Sequence, residues 1–267
     1  MSTGKGAIDV NDVSKIFHQN NEGGSNGDDT LTALDHVNLH IKPGEFITIV
    51  GTSGCGKSTL MRMVAGLETP TFGTVCCDGK VIQGTDAKRG LVFQDHSLFP
   101  WLTVWGNITF GLKSLGIYEK KKELASQLLE IVGLSQFRNS YPGQLSGGMT
   151  QRIALVRSLA TEPDVLLLDE PLGALDAFTR MSIQDNLIEL WKERKSTMIL
   201  ITHDVDEAIY LAQRVIVMSP RPGRIIDEIQ VDMSYPRERG HSQFTEYRNR
   251  ILKKLNFVHE HELSYYI

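Results

Sequence analysis

Long hydrophobic runs are missing from this chain. No stretch approaches the roughly eighteen consecutive apolar residues that a membrane-spanning helix needs, and residues 1–10 lack the apolar core of a signal peptide. The chain is therefore expected not to cross a membrane itself. Cysteine is scarce too. Of the three cysteines, Cys76 and Cys77 are adjacent and cannot easily close a normal bridge, while Cys55 lies inside a glycine-rich loop, which suits a reducing compartment. Positive charge is not in excess: 28 Lys and Arg against 32 Asp and Glu leave a net charge of −4, so no polyanion-binding patch is implied and nucleic acid is not an expected partner. No internal repeat appears. Aromatic residues make up only 7% of the chain, yet two of the three tryptophans, Trp101 and Trp105, crowd into five residues. What remains, 41% hydrophobic and 22% charged over 267 residues, is the composition of an ordinary globular chain with room for one core and an insertion.

Against this background one segment is unusual. Gly51, Thr52, Ser53, Gly54, Cys55, Gly56, Lys57, Ser58 and Thr59 spell G-x-x-x-x-G-K-S/T between a β-rich run at 45–50 and the helically spaced Met61, Val64, Ala65 and Leu67. The glycines let the backbone turn tightly and aim successive N–H groups inward on a helix N-terminus, which makes an anion nest. Lys57 is placed to reach β- and γ-phosphates and the Ser58 hydroxyl to ligate Mg²⁺. A mere flexible glycine turn would need neither the strand before it nor the helix after it.

A second anion site follows at Leu145-Ser146-Gly147-Gly148-Met149-Thr150-Gln151-Arg152. Ser146 reads as the N-cap of a helix with apolar residues at Met149, Ile153, Val156, Leu159 and Ala160, stopped by Pro163. The glycines beside it expose N–H groups at the positive end of a helix. Val165–Leu168 then read as a central strand buried on both faces, with Asp169 and Glu170 at its carboxyl end, where open α/β sheets place ligands. Neighbouring side chains on a strand diverge, so one carboxylate can serve Mg²⁺ while the other faces an attacking water. His203 follows another strand-like run, 198–202, and Asp204 with Glu207 reads as a capped helix start, so this histidine is expected on the same sheet edge.

In their order and spacing these segments resemble the ATP-binding-cassette ATPases, over almost all of residues 8–230. Residues 145–152 look like that family's signature, 165–170 like its Walker B strand and catalytic carboxylate, Gln94 like its Q-loop, Gly173-Ala174-Leu175-Asp176 like its D-loop and His203 like its H-loop. The resemblance implies an α/β fold: a P-loop NTPase with a mixed sheet core, an antiparallel β subdomain and a helical insertion at about 95–160. It implies an ATPase domain over 1–240 and a short helical tail over 241–267, with a helix around Phe244–Leu255. Glu170, His203, Gln94 and Lys57 are its catalytic candidates, and Ser58, Gln94 and Asp169 its Mg²⁺ candidates. ATP is implied as ligand, held in a two-fold sandwich between Lys57 of one subunit and Ser146 with Gly147 and Gly148 of the other, with Asp176 beside it.

Ala7–Phe17 and Leu31–Ile41 read as two strands joined by a polar, glycine-rich loop, and Phe17 occupies the place of the family's adenine-stacking aromatic, with a core position as the alternative. Phe99, Pro100, Trp101, Trp105 and Phe110 lie directly after Gln94, where the family grips a cytoplasmic helix of its transmembrane partner; core packing is the alternative for any single ring. His259-Glu260-His261-Glu262 reads as a solvated charge run rather than a metal site. The wording of 100–104, 169–180 and 218–225 resembles the nitrate, sulfonate, taurine and bicarbonate class of bacterial importers. That class implies a homodimer on the cytoplasmic face of the inner membrane, bound to permease subunits and served indirectly by an extracytoplasmic solute-binding protein. The chain leaves little room for an added regulatory domain. A soluble cassette ATPase acting on nucleic acid or ribosomes, or the ATPase of a separate-chain exporter, are the alternatives; the former usually joins two cassettes or carries a long coiled-coil insertion.

Overall fold

Runs that are buried at every position, rather than alternately, set the architecture. In chain order the elements are β1 (Ile8–Gln19), β2 (Asp29–Ile41), β3 (Phe46–Val50), α1 (Lys57–Ala65), β4 (Phe72–Cys77), β5 (Lys80–Val81), β6 (Arg89–Val92), α2 (Val104–Ser114), α3 (Tyr118–Ile131), α4 (Gly147–Ala160), β7 (Val165–Asp169), α5 (Ala177–Arg194), β8 (Thr197–Ile201), α6 (Val205–Leu211), β9 (Arg214–Met218), β10 (Ile225–Gln230) and α7 (Ser242–Leu263). This computed structural model describes residues 5–19, 29–93, 98–173 and 175–263, with side chains described throughout except at Gln19, Asp29 and 256–263.

Strands β3, β7 and β8 are buried at all five of their positions. They can be so apolar because both faces of their sheet are covered. Phe46, Leu166, Leu168, Met198 and Leu200 join a core with α2, α3, α4, α5 and α6. Ile47, Ile49, Val165, Leu167, Ile199 and Ile201 point the other way, into a core with α1 and with Ile8, Val10, Leu34, Val37, Leu39 and Ile41. The sheet order is β10-β9-β3-β8-β7-β6, parallel from β9 to β6 with β10 antiparallel at one edge. A second, antiparallel sheet runs β2-β1-β4-β5. The expected α/β fold, a mixed sheet with an antiparallel sheet and helices beside it, is the fold observed.

Topology brings the chemistry together. Because β3, β8 and β7 are parallel neighbours, the segments that leave their carboxyl ends meet on one edge: the phosphate loop after β3, His203 after β8, and Asp169 with Glu170 at the end of β7. Strands β1 and β2 each run two residues further towards their connection than the sequence pattern predicts. The glycine-rich loop between them, 20–28, lies outside the described residues, as do Gln94 and Ala174. The side chains of His259–Glu262 lie outside them too, although their backbone continues α7.

Between β6 and β7, helices α2, α3 and α4 pack on one another through Ile108, Leu112, Ala125, Leu128, Leu129, Ile153 and Val156. Helix α7 starts close to the expected position but is longer, and residue 240 marks no break in packing: Phe244 and Ile251 are fully buried in the same core as β7 and α6. The Arg248 guanidinium grips the Asp206 carboxylate with both Nε and Nη2, fastening α7 to α6. Among the described residues no helix is long and apolar enough to cross a membrane.

Candidate functional site

The phosphate loop is shaped by glycines whose backbone other residues would not tolerate. Gly54 and Gly56 have φ of +75° and +100°, and a Cβ on Gly56 would fall 2.6 Å from Leu34 Cδ2 and 2.9 Å from the Ala33 carbonyl. Lys57 folds back into the ring so formed, its ammonium donating to the carbonyls of Gly51 (2.8 Å) and Thr52 (2.9 Å) and lying 3.8 Å from Cys55 Sγ. It is only 7% exposed. Gly56 caps α1 and brings no side chain to the first-turn N–H groups, which leaves them for an anionic ligand.

Ser58, on the first turn of α1, donates its hydroxyl to Asp169 Oδ1 at 3.2 Å. Asp169 is buried, and burial pushes its carboxyl above its ordinary pKa; the Ser58 hydrogen bond opposes this and the Glu170 charge adds to it. A buried carboxylate beside a hydroxyl, with only oxygen donors, fits a small hard cation such as Mg²⁺. Glu170 differs from the sequence expectation. It lies beyond β7 in the left-handed region, φ +47°, so the two carboxylates part through a backbone turn and not through strand alternation. That turn is held by Glu170 N–H donating to the Ile201 carbonyl (3.0 Å) and by its own carbonyl accepting from Gln151 Nε2 (3.3 Å). His203 Nδ1 lies 3.3 Å from Glu170 Oε2.

A cavity of about 300 Å³ opens over the loop, lined by Ser53 to Thr59, Phe17, Leu31, Ala33, Glu170 and Arg221. Phe17 is therefore a wall residue and not a core one, with Lys15 Nζ 5.0 Å from its ring centroid. Gly51 and Thr52 form the floor beneath Lys57. Glu170 also borders a second, smaller space with Thr202, His203 and Asp204, so its carboxylate stands between the two. Ser146, Gly147 and Gly148 are not among the described residues lining the cavity. Ser146 caps α4, accepting from Met149 N–H at 3.3 Å, and Ser146 and Gly147 are exposed. Asp176 caps α5, accepting from Thr179 N–H at 3.0 Å, and the Thr179 hydroxyl, followed by that N–H bond, holds its carboxyl below the ordinary value. Gln94 lies outside the described residues.

Two residues escaped the sequence reading. Gln151 is 1% exposed, ties α4 to the Glu170 turn, and has a buried Oε1 without a hydrogen-bond partner; its signal was an amide in an otherwise apolar helix face. Arg221 lines the cavity and donates to the Gly54 carbonyl. The aromatic cluster divides. Phe99 packs against Trp101 (5.4 Å between centroids) and Phe110 (4.7 Å), and Trp101 and Phe110 are 70% and 48% exposed. Asn107 staples this loop, accepting from Phe99 N–H and donating to the carbonyls of Phe99, Leu102 and Thr103. Trp105 instead packs on the core beneath the Arg138 guanidinium, 3.4 Å from its ring centroid.

Comparison with known proteins identifies the family and the fold. The sequence profile of the family described as ABC transporter matches residues 34–173. The chain is 44% identical to an aliphatic sulfonates import ATP-binding protein of Bacillus cereus, over 94% of this chain and 96% of the relative. It is 48% identical to a nitrate import ATP-binding protein of Synechocystis, over 85% of this chain and 83% of the relative. Among solved structures, an ATP-binding cassette in a dimeric post-hydrolysis state bound to ADP and Pi superposes with a TM-score of 0.74 at 32% identity, covering 85% of this chain and 100% of that one.

Proposed function

The chain belongs to the ABC transporter family as an ATP-binding subunit with that family's ATPase domain, and on this premise we propose that it is the energy-coupling ATPase of an importer for a small anion of the sulfonate or nitrate kind. It acts as a homodimer on the cytoplasmic face of the membrane, bound to permease subunits that a solute-binding protein feeds.

The reading rests on one arrangement: Ser58 and Glu170 line the cavity above the phosphate loop, Ser58 bonded to Asp169 at 3.2 Å and Glu170 lying 3.3 Å from His203. The first-turn N–H groups of α1 and Lys57 take the β- and γ-phosphates. Ser58 and Asp169, with Gln94, would hold Mg²⁺, which when bound neutralises phosphate charge. Glu170 accepts the proton of the attacking water, and His203 orients that carboxylate and meets the γ-phosphate. Phe17 stacks on adenine. Ser146, Gly147, Gly148 and Asp176, displayed at exposed helix starts, complete the partner's site.

Glu170→Gln tests the chemical step. It should bind MgATP and dimerise while phosphate release falls at least about 100-fold, the usual contribution of a positioned base. Turnover within a few-fold of the parent would remove Glu170 from that role.

A further inference from the structure

We propose that Arg221 is a nucleotide-binding residue, the second fixed cation for the polyphosphate after Lys57. The proposal rests on the cavity above the phosphate loop being the ATP site.

Arg221 belongs to the turn joining β9 to β10, and that turn is built as a rigid wall. Ser219 N–H donates to the Arg224 carbonyl (2.9 Å), Arg224 N–H returns to Ser219 Oγ (2.9 Å), and Ser219 Oγ donates to the Pro222 carbonyl (3.1 Å). The turn is also stitched to β2: Gly223 N–H donates to the Ala33 carbonyl (3.0 Å), Asp35 N–H to the Gly223 carbonyl (3.1 Å), and the Arg224 guanidinium pairs with the Asp35 carboxylate. Gly223 lies so close to the phosphate loop that a Cβ there would fall 2.0 Å from the Cys55 carbonyl. The wall is therefore fixed against the loop whose ligand it faces.

From this wall the Arg221 side chain reaches the cavity, its Nε and Nη2 donating to the Gly54 carbonyl at 3.1 and 3.0 Å. A guanidinium carries five N–H donors in a planar fork, so donors remain beyond these two. Of the other cations near the cavity, Lys57 meets the phosphates while its ammonium is shared with two loop carbonyls, and Lys15, near Phe17, is paired with Glu68 at 2.7 Å and with the Thr69 carbonyl at 2.9 Å. Glu170, on the opposite account, brings negative charge to the same lining. A polyanion entering this cavity needs a further cation, and Arg221 is the residue fastened there to supply it.

The test is calorimetric titration of ATP and ADP into the parent chain and into Arg221→Gln, Arg221→Lys and Lys57→Ala. Arg221→Gln should weaken ATP binding about tenfold, equivalent to about 1.4 kcal/mol, weaken ADP less, and flatten the salt dependence of ATP affinity. Arg221→Lys, which keeps the charge, should recover most of the loss. ATP affinity within twofold of the parent in Arg221→Gln would overturn the proposal. So would equal defects in the Gln and Lys variants with unchanged salt dependence, since these assign the side chain to clamping the loop. If Lys57→Ala leaves ATP binding intact, the cavity is not the nucleotide site; if it abolishes binding while Arg221→Gln does not weaken it, only the role of Arg221 fails.

Discussion

Deleting Lys57 acts twice, because its buried ammonium also holds the Gly51 and Thr52 carbonyls of its own loop. Lys57→Ala should therefore lower ATP affinity by about 3 kcal/mol, comparable to losing a preorganised donor, and loosen the loop, which titration together with hydrogen exchange of 51–56 would read. Normal affinity would contradict the assignment. Glu207 offers a residue-scale test by pH. It is a buried residue of α6, accepts from Gln184 Nε2 at 3.1 Å, and burial raises its carboxyl above the ordinary value against hydrogen bonds from Thr202 and Gln184 and the Arg180 charge, with Asp204 adding to the rise. A carboxyl raised in the folded state contributes stability that is complete below its unfolded pKa and lost as pH rises through the folded one. Glu207→Gln should therefore stabilise the chain by about 1 kcal/mol at neutral pH, with the gain vanishing in acid; thermal melting across pH checks it. A variant destabilised equally at both extremes would mean that the amide cannot replace the carboxylate in its hydrogen bonds.

Helix α2 and the loop before it divide their aromatic residues between packing and display. Trp105 lies under Arg138 and against the core, whereas Trp101, on the loop that Asn107 holds, is displayed with Phe110. Trp105→Ala should cost about 3 kcal/mol of stability, the low end for a large ring, because this one is only partly buried. Trp101→Ala should stay within about 0.5 kcal/mol yet weaken assembly with the permease. Comparable melting losses for both would return Trp101 to the core. Elements of this kind were legible wherever local sequence decides: the G-x-x-x-x-G-K-S loop, the Ser146 cap, and the apolar run Val165–Leu168 of β7 each declare their own conformation. Glu170 was not legible in the same way. Its left-handed turn is imposed by the Ile201 carbonyl and by Gln151, nineteen residues upstream, and no strand pattern encodes that. Arg221 is placed by contacts with Gly54 and, through its turn, with Ala33, more than 160 residues away, so its role depends on the fold being complete. The two tryptophans look alike in sequence because neither Arg138 nor Asn107 can be paired with a ring from spacing alone.

For the whole molecule, the central feature is that one chain carries two helix starts, both proposed to bind phosphate, that it does not bring to one cavity: the phosphate loop faces its own cavity, while Ser146 and Gly147 stand exposed at the start of α4. Gln151 joins the two within the chain, since the helix that begins at Ser146 is bonded to the turn that carries Glu170. In the proposed homodimer, a two-fold pair of chains would let each start complete the other's site. The most direct measurement mixes a Ser146→Arg chain with a Lys57→Ala chain and follows ATP-driven dimerisation by sedimentation with Mg²⁺ present. Each variant alone damages both sites of its dimer and should stay monomeric. The mixture should recover dimers holding one ATP, because one site then combines an intact Lys57 with an intact Ser146. Dimerisation of the pure Ser146→Arg chain at the parental ATP concentration, or a mixture that remains monomeric while the parent dimerises, would contradict a nucleotide shared between two copies.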